Sequence, residues 1–200
     1  RDKHVTGVQT CALPIFALTS IGVYGIVLAG WASNSKYTLI GGLRSSAQLI
    51  SYELALGLSV VSIILMSGSL RLNDIVADQQ GYLLSWYVFK QPLAFLIFLI
   101  ATYAETNRLP FDLAEAEQEL VGGYHTEYSS MKFAMFFMSE YANMITAAAL
   151  TVTLFFGGCD VPLLDEKSLG IWGAMLSVAS FILKMGFFLF LFIWIRWTFP

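Results

Sequence analysis

Charge is what this sequence has least of. Only 12% of its 200 residues are Asp, Glu, Lys or Arg, against about 25% in an ordinary soluble domain. The few basic residues form no stripe and do not interleave with aromatics, which excludes nucleic acid as a partner. Cysteine and histidine are as sparse. Cys11 stands far from Cys159 and His4 far from His125, and neither CxxC nor HExxH occurs. The chain therefore offers no ligand set for a metal ion or an iron–sulfur cluster. The glycine-rich loops GxGxxG and GxxxxGK(S/T) are missing too, which leaves no flavin- or nucleotide-binding fingerprint.

What is present is apolar length. The chain is 57% hydrophobic with a mean hydropathy of +0.69. A bilayer core of about 30 Å needs roughly 20 apolar residues of helix. The runs Ala47–Leu70, Tyr82–Ala104, Phe133–Phe156 and Gly170–Ile195 meet that length; Phe16–Gly30 is shorter and spans only if Leu13–Ile15 are helical too. The expected fold is all-α, a polytopic transmembrane bundle of about five spans near 16–30, 47–70, 82–104, 133–156 and 170–195. Polar links are expected at 31–46 and 71–81, a long acidic link at 105–132 and another link at 157–169. Residues 1–15 have mixed polarity and no apolar stretch placed as in a signal peptide, and they read as a non-native tail.

Alternating spans put 31–46, 105–132 and 196–200 on one side, with Lys36, Arg44, Arg108, Lys132 and Arg196. The other side has Arg71, Lys90 and Lys167, joined by Arg1 and Lys3 if the tail counts. Without the tail, the bias favours a cytoplasmic acidic link; with it, the two sides balance. Tyr82, Trp86, Tyr87, Trp172, Trp194 and Trp197 fall near span ends, as interfacial aromatics do.

Three charges lie where charge is expensive. Glu53, Glu140 and Lys184 sit inside spans, where each costs at least about 2.5–3.5 kcal/mol at the bilayer centre. A single such acid reads as a snorkelling side chain; two acids and a lysine in a chain this poor in charge point to a polar axis. A carboxyl desolvated at depth holds a proton more firmly, which suits a relay. The link AETNRLPFDLAEAEQELVGGYHTEY carries Glu105, Arg108, Asp112, Glu115, Glu117, Glu119 and Glu127. Pro110 breaks the preceding helix, Asp112 and Glu115 open a short one like a capping box, and Gly122–Gly123 closes it. The plain alternative is a solvated helix at the membrane surface. Arg44 precedes Glu53 by two and a half turns, so the two do not touch and each needs its own partner.

GWASNSKYTLIGGLRSSAQLISYE (Gly30–Glu53) and AETNRLPFDLAEAEQELVGGYHTEYSSMKFAMFFMSEYANM (Ala104–Met144) resemble the quinone-site membrane subunit of proton-pumping NADH–quinone oxidoreductase, the respiratory complex I of bacteria and mitochondria. The resemblance covers residues 16–200 and implies an eight-span subunit of which this chain holds the third to seventh spans. It implies that Arg44 and the acids of the link (Glu105, Asp112, Glu115, Glu117, Glu119 and Glu127, with Arg108) line a quinone chamber. Glu53, Glu140 and Lys184 would then continue a proton path. It implies quinone as substrate and no metal, flavin or iron–sulfur cluster held by this chain. The implied partners are other membrane subunits, peripheral subunits near the quinone (one carrying an iron–sulfur cluster) and lipid. A bacterial-type inner membrane is the implied location. A related membrane component of hydrogenase-type complexes, or an ion transporter without redox chemistry, are the alternatives; the transporter would show two matching broken-helix halves.

Overall fold

The computed structural model describes residues 12–106, 111, 123–161 and 170–198. Helix α1 is Ala12–Ala32, α2 Lys36–Ser67, α3 Leu72–Ala77, α4 Tyr87–Lys90, α5 Pro92–Glu105, α6 Ser130–Phe155 and α7 Ile171–Thr198. Single 3-10 turns occur at Leu83–Ser85 and Gly123–His125. Among the described residues there is no strand. The structure is an all-α helix bundle. Its helices α1 (from Pro14), α2, α6 and α7 are each long and apolar enough to cross a membrane. Large side chains on them face outward, Leu18, Leu58, Leu65 and Leu183 among them. Water tolerates no such surface over whole helices, and the molecule is an integral membrane protein.

Two elements differ from expectation. The link expected at 31–46 is mostly helix, because α2 starts at Lys36 and only a tight turn separates it from α1. Its polarity misled: Ser45 and Ser46 are buried and Gly41 and Gly42 pack against neighbours, so this stretch is a contact surface rather than a solvated loop. The segment Tyr82–Ala104 is not one helix. It breaks at Gln91, whose backbone (φ −136°, ψ 67°) leaves the helical region just before Pro92. Proline lacks an N–H and crowds the residue before it. The resulting α5 has 14 residues, about 21 Å at 1.5 Å per residue, short of the bilayer's roughly 30 Å. Ser62 on α2 secures the break, donating to Gln91 Oε1 at 2.9 Å. At the other end, α1 already includes Leu13–Ile15, which meets the length condition on the first span.

The helix ends have identifiable causes. Gly68 takes the left-handed conformation (φ 67°) and closes α2 by donating its N–H to Ile64 O at 2.8 Å. One core lies where α2, α3, α5 and α6 meet, around Ile63, Ile75, Phe98 and Phe155. Beside it, the amide of fully buried Gln79 bonds four backbone groups. It donates to Ile75 O and Leu154 O, and accepts from the N–H groups of Tyr87 and Gly157. At the opposite end of the bundle, α1 and α2 pack closely at Gly30 and Gly42, and the 3-10 turn at Gly123 presses on Gly41. That last contact carries the chain over the end of a cavity between α1, α2, α5 and α6.

Candidate functional site

The cavity is built by pieces far apart in sequence. Helix α1 contributes Thr19 and Val23, α2 contributes Leu49 and Glu53, and the end of α5 contributes Glu105 and Thr106. Tyr124 comes from the 3-10 turn, and Ser139, Glu140 and Asn143 from α6. Its volume is about 100 Å³. Three carboxylates, Glu53, Glu105 and Glu140, therefore share one space. A second cavity of about 30 Å³ adjoins it and shares Thr19, Glu105, Thr106 and Asn143.

Each carboxylate is placed by local structure. Glu53 is half-buried on α2 and accepts a hydrogen bond from the Ser20 hydroxyl of α1. Glu105 is the last residue of α5, one position beyond the apolar run and outside the four long helices. The chain leaving α5 is tied to α2 by Gln48, whose amide donates to Ala104 O at 3.2 Å and to Phe111 O at 2.7 Å. Tyr52 meets the Phe111 ring edge-on, with centroids 5.7 Å apart. These contacts hold Glu105 inward. Burial, and after it the charge of Glu53, push the Glu105 carboxyl up to about 7. Glu140 is half-buried on α6, and the Phe136 ring one turn earlier packs edge-on against buried Tyr124, centroids 5.5 Å apart. With its carboxyl raised to about 7, Glu105 can hold or release a proton near neutral pH.

Other sequence-chosen residues lie elsewhere. Arg44 is exposed on α2 and is not among the residues lining this cavity. Glu127 is exposed and lines an open groove of about 620 Å³ with Ser33, Tyr128 and Lys132. Lys184 stands at the far end of α6. Its ammonium donates to the carbonyls of Phe156 (3.0 Å), Gly158 (3.1 Å) and Asp160 (2.7 Å), and it lies 4.8 Å from the Trp86 ring centroid. These carbonyls belong to the C-cap of α6 and the turn beyond it, and Lys184 is not among the residues lining the carboxylate cavity. Arg108, Asp112, Glu115, Glu117 and Glu119 lie outside the described residues.

Sequence reasoning missed Ser20, Thr102, Thr106, Tyr124 and Asn143. A signal existed on α6, where Ser139, Glu140, Asn143 and Thr146 recur at helical spacing on one face of an apolar span. The pairing of that face with the end of α5 had no local signal.

The family model described as NADH dehydrogenase matches residues 3–200. The chain is 56% identical, over all of its length, to NADH-quinone oxidoreductase subunit 8 of Rhodothermus marinus, covering 61% of that protein. It is 58% identical over 98% of its length to an NADH-quinone oxidoreductase subunit of Geobacter sulfurreducens, covering 53% of it. With an NADH-quinone oxidoreductase subunit of Salinibacter ruber it shares 52% identity over 98% of its length, covering 59% of that relative. The chain thus spans little more than half the length of the curated relatives it matches.

Proposed function

The chain belongs to the NADH dehydrogenase family, and from that premise we propose that it is part of the membrane subunit of an NADH–quinone oxidoreductase. There it forms part of the quinone chamber and of the charged path that couples quinone reduction to proton translocation. The convergence of Glu53, Glu105 and Glu140 on one cavity is the observation that supports this reading. The relatives' names speak of quinone, and quinone is the proposed substrate. The acidic link with Arg108, Asp112, Glu115, Glu117, Glu119 and Glu127, together with Arg44, borders the chamber in this proposal.

Reduction of a quinone to a quinol consumes two electrons and two protons. The electrons come from an iron–sulfur cluster in a peripheral partner subunit. Proton uptake changes the charge beside Glu105, and neighbouring carboxylates respond by taking or releasing protons. Glu53 and Glu140 pass the change inward to other membrane subunits. The proposed location is a bacterial-type inner membrane, with the acidic link facing the cytoplasm.

Glu53→Gln and Glu140→Gln, each in the intact complex, test the reading. Each is expected to lower quinone-linked proton pumping severalfold in sealed vesicles while the complex still assembles. Wild-type pumping in both variants removes the relay assignment. The hydrogenase-type and transporter alternatives predict no inhibitor-sensitive quinone reduction by the purified parent complex.

A further inference from the structure

Helix α6 begins under strain. Its first residue, Ser130, has a left-handed backbone (φ 55°), which is costly without glycine and persists only where neighbouring contacts over-determine it. Two contacts just before it fix the end of the acidic link. The backbone of Gly123 and Tyr124 sits on Gly41 of α2. The Tyr128 hydroxyl donates to Ala29 O, in the last turn of α1, at 2.9 Å. A half-buried phenol can take water as its partner; Tyr128 instead reaches a carbonyl 99 residues away in sequence. Ala29 O already accepts the Ser33 N–H at 3.2 Å, so α1 does not need the phenol, and the bond serves the link. The Tyr128 ring carries this tie inward. It packs against Phe136 on α6, centroids 5.2 Å apart, and Phe136 also packs against Tyr124, centroids 5.5 Å apart. Tyr124 and Phe136 both line the cavity of Glu53, Glu105 and Glu140. Tyr128 also borders the open groove of about 620 Å³, which leaves its ring room to swing away.

We propose that Tyr128 is a positioning residue whose hydroxyl latches the end of the acidic link to α1 and so keeps Tyr124 and Phe136 in place as walls of the carboxylate cavity. With the latch made, these rings keep water from Glu105. With it released, the wall loosens towards the groove and Glu105 gains solvent. Among the described residues that line the cavity, the titratable groups beside Glu105 are Glu53 on α2, Glu140 on α6 and Tyr124 on the link, and α1 adds none. The latch stands on the geometry alone; its bearing on proton coupling rests on the proton-path reading above.

The test uses the intact complex with its full-length subunit, native or carrying Tyr128→Phe, which keeps the ring on Phe136 and removes only the hydroxyl. Hydrogen exchange read by mass spectrometry should show the amides of 123–130 exchanging as slowly as the last turn of α1 in the native complex, and severalfold faster in Tyr128→Phe. The Glu105 carboxyl, followed by its infrared band, should then titrate about half a pH unit lower, because added water favours the ionised form. Fast exchange of 123–130 in the native complex overturns the latch without recourse to a variant. So does native exchange in Tyr128→Phe. Faster exchange with an unchanged Glu105 midpoint overturns the positioning role. If Glu53→Gln and Glu140→Gln pump normally, the proton-path reading fails, while exchange and midpoint still decide the latch.

Discussion

Glu105 stands where the chain leaves α5, and its environment sets its proton affinity. Burial first, and the charge of Glu53 second, raise its pKa to about 7. The carboxyl is therefore mostly protonated at pH 6 and mostly ionised at pH 8. A folded-state pKa above the unfolded value means that this group favours the fold at low pH, and the contribution is lost as pH rises through about 7. Infrared difference spectra of the complex should show a protonated-carboxyl stretch that fades through this range and is missing in Glu105→Gln. Glu53→Gln removes the second cause and leaves the first, so the midpoint should fall while staying above the ordinary carboxylate range. An absent band at pH 6 in the native protein would contradict the burial argument.

Elements meet through small residues at one end of the bundle and through side-chain amides and Lys184 at the other. A Cβ built on Gly41 comes 3.0 Å from the Gly123 backbone and the Tyr124 nitrogen. Since both sides of that contact are backbone, neither yields easily. Gly41→Ala should cost about 1–3 kcal/mol, as overpacking does, and lower the thermal midpoint of the detergent-solubilised complex. Gly57 lies on the same helix with nothing within 4 Å of its Cβ position. Gly57→Ala should be neutral or stabilising by up to about 1 kcal/mol. Equal effects at the two positions would mean that the turn at Gly123 is not seated on α2. The seat matters because the same turn supplies Tyr124 to the cavity.

At the scale of the molecule, sidedness is the quantity that the bundle makes measurable. Glu127 and Cys159 are both exposed and occupy links at opposite ends of α6. With Cys11 replaced by Ser, an impermeant maleimide should reach Glu127→Cys in inside-out vesicles and Cys159 only from the other face. Labelling of Glu127→Cys from outside intact cells would reverse the proposed orientation. The outward apolar surface of the long helices must be covered by lipid or by neighbouring subunits.

The sequence by itself determined the solvent and the class of fold. Apolar transfer free energies add residue by residue along a helix, so the spans near 47–70, 133–156 and 170–195, the conditional one near 16–30 and the acids Glu53 and Glu140 inside spans were legible without coordinates. Lys90 and Pro92 were equally visible as an interruption of 82–104, yet hydropathy still counts that run as one span, because it averages over a window and a backbone break is one residue wide. Only the tertiary structure decided which charges meet. Glu105, grouped from the sequence with the acidic link and apart from Glu53 and Glu140, lines one cavity with both. Lys184, grouped with them from the sequence, bonds the carbonyls of Phe156, Gly158 and Asp160 at the other end of α6. The reason is that a side chain's neighbours depend on how helices pair across long sequence separations. Here that pairing rests on backbone approach at Gly41 and Gly42 and on Gln48 reaching the chain beyond α5.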